Sequence, residues 1–362
     1  MNKGISDART NGPVGPIPGF RRFLAGLRAG LVLFLLALAL AGPGGAADPQ
    51  PAPNLGLPIR CELLRDCWVV NLVDLDPGPG VRDYACGTHT YDGHKGTDIA
   101  VRDMKAVGLG VDVLAAAAGA VIGVRDGMDD IDVNAAGKDN IKGRECGNGV
   151  VIDHGGGWET QYCHMRKGSV AVKKGDAVAA GARLGLVGYS GDAEFPHVHL
   201  SVRHADQVID PFVGTTRQNA CGLGPKPLWQ QAALVGLLKP MTAVFNAGFH
   251  DRRPDSKAAR DGLLAEASLP RDAAALVLWA DMYWPEVGDV LAFRIVGPGG
   301  KAVFENLARI EKNQARRFAF AGRKRPSEAW PAGQYRGEVT LSRGEGAAAK
   351  TISTATAVVA LR

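Results

Sequence analysis

The chain reads as an all-β protein in two parts, an antiparallel β-sheet domain over residues 81–222 and a smaller immunoglobulin-like β-sandwich over 227–362. Three observations predict this. Apolar and polar residues alternate over short runs, as in "GNGVVIDHGGGWETQYCHM" and "PHVHLSVR". Glycine turns punctuate those runs, with 48 glycines in 362 residues. A sustained 3.6-residue apolar period is almost missing between Val81 and Cys221.

From the N-terminus, Arg21, Arg22 and Arg28 precede the apolar run "AGLVLFLLALALA" (Ala29–Ala41) and then the small residues Gly45 and Ala47. Basic, apolar and small-residue regions in that order predict a secretory signal peptide over 1–47, cleaved after Ala47. The apolar run is short for a membrane span, so no stable membrane association is expected after cleavage. The remaining chain, of about 315 residues, has room for two domains. The formal charge of +5 falls to about +1 once the signal is removed, which argues against a nucleic-acid partner. "DPQPAPNLGLPIR" opens a proline-rich stretch, 48–80, read as an extended tether.

Six cysteines follow the signal, an even number that in an exported chain predicts three disulfides among 15 pairings. The pairing expected is Cys61 with Cys67, Cys86 with Cys221, and Cys146 with Cys163. The "WETQYCHM" segment follows "VVIDHGGG" across a glycine turn, so the two form a hairpin with Cys146 and Cys163 on adjacent strands. "CGLGPKP", residues 221–227, marks the break between domains. Beyond it "ALVLWADMYW", "DVLAFRIVGPGG", "GQYRGEVTLSRG" and "TATAVVAL" are strands of the sandwich. Trp279, Trp284 and Trp330 are expected in packing roles, and the basic run from Arg316 to Arg325 on a solvated strand face.

Three segments carry chemistry. "YDGHKGTDIAV" sets His94 four residues before Asp98. In "PHVHLSVR", alternation puts His197, His199, Ser201 and Arg203 on one face and Val198, Leu200 and Val202 on the core side. In "WETQYCHM" the same alternation groups Thr160, Tyr162 and His164. Catalytic zinc is commonly held by three protein ligands with a fourth place open for water. His94, Asp98 and one of His197 and His199 supply such a set, and the remaining histidines are left for proton transfer. His154 is expected to be structural, and His89, His204 and His250 at the surface.

Together "GHKGTDIAV", "TQYCHM" and "SGDAEFPHVHLSVR" resemble the lysostaphin-type, LytM-like zinc metalloendopeptidases, whose pattern is HxxxD, a YxH strand and HxH. The resemblance runs from about Val81 to Phe212. It implies a LytM-like sheet with a duplicated hybrid motif, one Zn²⁺ per chain on His94, Asp98 and His199, and His164 and His197 as the pair acting on water and oxyanion. It further implies hydrolysis of peptide bonds in peptidoglycan cross-links or stems, in the periplasm or outside the cell. The alternative is a non-catalytic LytM-like module that binds the wall and activates an amidase. A lipoyl or biotinyl carrier, suggested by "VKKGDAVAAGARLG", lacks the Met-Lys-Met type of turn. Departures from the family pattern are Cys163, the "AEFPH" stretch and an insertion-like segment from Asp126 to Cys146. No partner of the C-terminal domain is legible.

Overall fold

Ten strands build the first part: β1 (Cys67–Asn71), β2 (Thr97–Val101), β3 (Asp112–Leu114), β4 (Gly119–Arg125), β5 (Asn148–Gly155), β6 (Trp158–Met165), β7 (Ala177–Val178), β8 (Arg183–Leu186), β9 (His197–His204) and β10 (Gln207–Val208). The computed structural model describes residues 51–216, 220–264 and 266–362, so the signal-peptide expectation lies outside it. An antiparallel sheet runs β1-β2-β9-β6-β5-β4-β7, with β10 on β9, while β3 and β8 pair separately. As the alternation in β9 predicts, Val198, Leu200 and Val202 are buried in the core. The β5–β6 hairpin turns on Gly155, Gly156 and Gly157, all at positive φ, the conformation that tight hairpin turns demand.

Residues 51–80 do not form a tether. Leu55 and Ile59 are fully buried in the same core, Leu55 N–H donates to Leu228 O at 2.7 Å, and β1 forms the edge of the sheet. Proline content suggested an extended tether, but burial of Leu55, Ile59 and the run from Trp68 to Val73 holds the stretch down. The break at 221–227 likewise precedes the true end of this core. Leu228, Trp229 and the short helix α1 (Gln231–Leu237), through Ala233, Leu234 and Leu237, still pack into it. The apolar set repeats at helical spacing, which a search for strands passes over.

The second part adds β11 (Ala243–His250), β12 (Ser268–Leu269), β13 (Ala275–Tyr283), β14 (Val290–Val296), β15 (Ala302–Arg309), β16 (Arg316–Lys324), β17 (Gly333–Arg343) and β18 (Lys350–Leu361). They form sheets β11-β13-β16 and β12-β18-β17-β14-β15, facing each other over Phe249, Leu278, Phe293, Val339 and Val359. Apart from the short β12, the first, second and fifth strands lie in one sheet and the third, fourth, sixth and seventh in the other. This is an immunoglobulin-like sandwich with its fourth strand on the sheet of the third, sixth and seventh. Trp279 and Trp330 are buried inside the sandwich region, as expected.

All five residues of β1 are buried, because each of its faces has a cover. Cys67 and Val69 turn into the first core; Trp68 and Val70 pack with Ala243, Phe245 and Tyr283 of the sandwich. Trp68 and Phe245 rings lie 5.6 Å apart, and Trp284 Nε1 donates to Val70 O at 2.5 Å. The two parts therefore meet along a continuous apolar seam. Three disulfides join Cys61–Cys67, Cys86–Cys221 and Cys146–Cys163, the pairing expected.

If 51–60 is core, Leu55→Ala leaves a cavity and lowers unfolding free energy by about 3 kcal/mol. A flexible tether would hold the change within about 0.5 kcal/mol, and denaturant titration separates the two.

Candidate metal centre

Cross-strand register assembles the site. Cα partners run Asn71↔Asp98 between β1 and β2, Asp98↔His199 between β2 and β9, and Cys163↔His199 between β6 and β9. Residues directly opposite on antiparallel strands share a face, so Asn71, Asp98, His199 and Cys163 form one row across four strands. Ala100 opposes His197 one step along. His94 comes from the turn before β2. Gly96 lets that turn pass beneath His199, since a Cβ there would sit 2.5 Å from His199 Nε2 and 2.7 Å from Leu200 O.

Asp98 is 1% exposed, and four side chains converge on it. His94 Nε2 is 3.1 Å from Oδ2, Asn71 Nδ2 donates to Oδ2 at 2.8 Å, His199 Nδ1 is 2.8 Å from Oδ1, and His197 Nε2 is 3.6 Å from Oδ1. Burial alone would raise its pKa; His94, then His197 and His199, outweigh it and hold the carboxyl well below the usual range. Burial works against protonation of His94 too, yet the charge of Asp98 raises its pKa.

Ligand atoms of His94, Asp98 and His199 all lie within 4.8 Å of one another. His94 Nδ1 lies 2.6 Å from Leu72 O, and because a carbonyl only accepts, Nδ1 carries the proton and Nε2 keeps its lone pair. Two imidazoles and one carboxylate, with the first imidazole oriented by a carbonyl, fit a divalent metal of the zinc type. A second cluster, Cys61, Asp66 and Cys67, is not equivalent, because its two sulfurs are joined in a disulfide.

His164 reaches the site by a different route from the one its sequence predicts. Thr160 and Tyr162 do point to the core, where Tyr162 O–H accepts from Ala116 N–H at 2.7 Å. Strict alternation would send His164 the same way. Instead Asn148 pairs with Met165 while Val150 pairs with Tyr162, so β6 carries an extra residue, and His164 sits at φ 60°. The bulge turns His164 onto the face of Cys163 and His199. Its ring lies 4.5 Å from that of His197 and 5.9 Å from that of His199.

Both rings face carbonyls through Nδ1, His164 to Ser190 O and His197 to Phe195 O, each at 2.8 Å. Nδ1 is therefore the protonated nitrogen in each, and Nε2 is left as a base. Burial keeps both rings neutral: it lowers His197, and together with the neighbouring His197 and His199 it lowers His164 well below the ordinary value. Gly191, at φ 81°, turns the chain after Ser190 where a Cβ would lie 2.2 Å from Glu145 O.

The His94, Asp98 and His199 cluster lies between two hollows. One, of about 580 Å³, includes Lys95, Gln161, Ser201 and Arg203, two of them residues whose face alternation had predicted. The other, of about 480 Å³, is walled by Asn71, Asp98 and His197 on one side and by Arg260, Tyr283 and Arg316 of the sandwich on the other. Glu194 is exposed yet borders this second hollow. The segment from Asp126 is clamped by carboxylates: Asp126 accepts from Gly168 N–H at 2.7 Å and Asp130 from Tyr189 N–H at 2.7 Å. Its Lys138 lines the second hollow. His154 is held at both nitrogens, by Ala118 O and Thr160 Oγ1, and braces β5. His89 is half-buried rather than at the surface, its ring 4.9 Å from that of Trp284.

Sequence reasoning missed Asn71, although an amide inside the apolar run Trp68–Val73 was a signal. It also missed Arg260, Tyr283 and Arg316, for which nothing local in the sequence pointed to the site.

Residues 92–211, holding all five histidine and aspartate positions, match the Peptidase family M23. The chain carries a peptidase family M23 domain. Over 56 residues it is 45% identical to the peptidoglycan DD-endopeptidase ShyA of Vibrio cholerae, covering 16% of this chain and 13% of that one. It is 39% identical over 64 residues to the cell division protein DipM of Caulobacter vibrioides, covering 18% and 10%. The chain thus spans only a small part of the length of the curated relatives it matches. Among solved structures, the M23 domain resembles the lysostaphin catalytic domain of Staphylococcus simulans at 20% identity and TM-score 0.26, covering 40% of this chain and 86% of that one. A mutant catalytic domain of the prophage-encoded M23 protein EnpA from Enterococcus faecalis matches at 24% and 0.29, covering 44% and 94%.

Cys146 O accepts from His164 N–H at 2.8 Å, so the Cys146–Cys163 disulfide closes the bulge that presents His164. Replacing both cysteines by alanine opens a 17-residue loop and is expected to cost about 3 kcal/mol in denaturant unfolding. An unchanged midpoint would mean that hydrogen bonding alone holds the bulge.

Proposed function

We propose that the chain is a zinc-dependent endopeptidase that hydrolyses peptide bonds in peptidoglycan cross-links or stems, in the periplasm or outside the cell. One observation carries the reading: a buried carboxylate and two histidines with converging ligand atoms stand beside two further histidines whose Nδ1 atoms are engaged by backbone carbonyls. His94, Asp98 and His199 would hold one Zn²⁺, whose chemistry is Lewis-acid polarisation of the scissile carbonyl and acidification of the attacking water. The M23 domain and its partial likeness to DD-endopeptidases support the peptide substrate.

The chain's own groups divide the remaining work. Asn71 holds the Oδ2 side of Asp98, and Leu72 O fixes the tautomer of His94. His164 and His197, their Nδ1 protons engaged by carbonyls, present basic Nε2 atoms. Either can take the proton that leaves the attacking water. The imidazolium so formed donates Nε2–H to the oxyanion, then returns the proton to the leaving amine. The alternative, a non-catalytic module that activates a wall amidase, gives these two oriented bases no task.

Zinc content and turnover on a cross-linked stem peptide, measured on the same preparations, test the assignment. Asp98→Ala and His199→Ala are expected to lose most of the metal and all measurable turnover. His164→Ala and His197→Ala are expected to keep the metal and lose roughly 10²- to 10⁴-fold in turnover. Near-normal turnover with metal intact in either of the latter would remove that histidine from the reaction.

A further inference from the structure

The second hollow has a wall that the M23 domain does not supply. Arg260 and Arg316, from the sandwich part, both pair with the buried carboxylate of Asp281. Arg260 Nε donates to Oδ2 at 3.1 Å, and Arg316 donates from Nη2 at 2.8 Å and from Nε at 3.2 and 3.3 Å. Among the described residues no other carboxylate lies within 4.0 Å of either guanidinium. Two cations share one anion, so one positive charge is left over at the wall. Lys138 and Asp192, also at this hollow, lie 3.8 Å apart and offset each other.

The surplus charge is directed and partly dry. Arg316 Nη1 and both Nη atoms of Arg260 make no hydrogen bond to the described residues. The Arg316 guanidinium sits 5.0 Å from the ring centre of Phe245, 5.4 Å from Tyr283 and 5.8 Å from Phe195. Rings on several sides exclude water and strengthen whatever charge pairing the free edge makes. Phe195 in turn lies 4.6 Å from the ring of His197. Those two contacts place the guanidinium within the reach of about three residues of extended peptide from the reacting centre. A guanidinium with a free edge matches a carboxylate, which it can grip through paired N–H donors.

We propose that Arg260 and Arg316 form a subsite for a free carboxylate of the peptide substrate, so that the sandwich part selects what the M23 domain cuts. The inference rests on the endopeptidase reading. Glu194, on the same hollow, is an exposed carboxylate with no ion-pair partner among the described residues, so the surplus positive charge is local to the sandwich wall. Each arginine alone still neutralises Asp281, so Arg260→Gln or Arg316→Gln removes the surplus charge without leaving a buried unpaired anion.

The test uses the full chain, loaded with zinc, and two cross-linked stem peptides that differ only in bearing free carboxylates or carboxamides. The wild-type chain is expected to favour the acid peptide by about tenfold or more in kcat/KM, the worth of a hydrogen bond to a charged group. In both glutamine variants the ratio falls to within about twofold of one. Equal rates on the two peptides, or a ratio that survives in both folded variants, overturns the subsite and leaves the endopeptidase reading in place. If neither peptide is cut, the endopeptidase reading falls, and binding titrations decide the subsite. Acid-selective binding lost in the variants supports it, and equal binding of acid and amide rejects it. Should Arg316→Gln melt early, Arg260→Gln, whose side chain is a third exposed, carries the decision.

Discussion

A carboxylate with almost no access to water costs several kcal/mol unless charge and hydrogen bonds surround it, and Asp98 is such a group. Its burial is tolerable because the strand order β1-β2-β9-β6 brings Asn71, His199 and Cys163 into one row with it, while the turn before β2 brings His94. A slip of one residue between β2 and β9 would turn His199 into the core and bare Asp98 to apolar side chains. Fold stability and the clustering of His94, Asp98 and His199 therefore depend on the same register. Binding a divalent ion would relieve the remaining imbalance, since two imidazoles and a carboxylate crowd together with lone pairs converging.

The sandwich does more than follow the M23 domain in sequence. An edge strand with one bare apolar face invites association, and β1 would have such a face in Trp68 and Val70 if Phe245 and Tyr283 did not cover it. The cover brings β16 alongside the histidine–aspartate cluster, which is how Arg316, far away in sequence, comes to wall the cleft. Structural seam and cleft wall are one piece of packing. The residues from 126 to 146 close the cleft from another direction, anchored through the carboxylates of Asp126 and Asp130 and through the buried side chains of Val133 and Ile141.

Legibility in the sequence followed periodicity. In β9 strict alternation separates Val198, Leu200 and Val202 from His197 and His199, and the structure keeps that division. The HxxxD pair was readable because a turn and a strand start lie between its members. In β6 alternation broke down, because His164 occupies a left-handed position without the glycine or asparagine that usually signals one. Proline content concealed the buried Leu55 and Ile59, and a short helix concealed the end of the first core at Leu237. The basic run from Arg316 was read as a solvated face, which Lys324 and Arg325 satisfy; Arg316 itself, paired with Asp281, is nearly enclosed. Contacts between distant segments, set by packing alone, leave no local pattern to read.

Crystals of the full chain grown with zinc, with diffraction recorded on both sides of the zinc absorption edge, test the central claim most directly. One anomalous peak per chain is expected, about 2.0–2.2 Å from a nitrogen of His94, an oxygen of Asp98 and a nitrogen of His199, with His164 and His197 outside bonding distance. A peak bound by His164 or His197 in place of one of these three, or a chain that binds no zinc while its fold is intact, would contradict it.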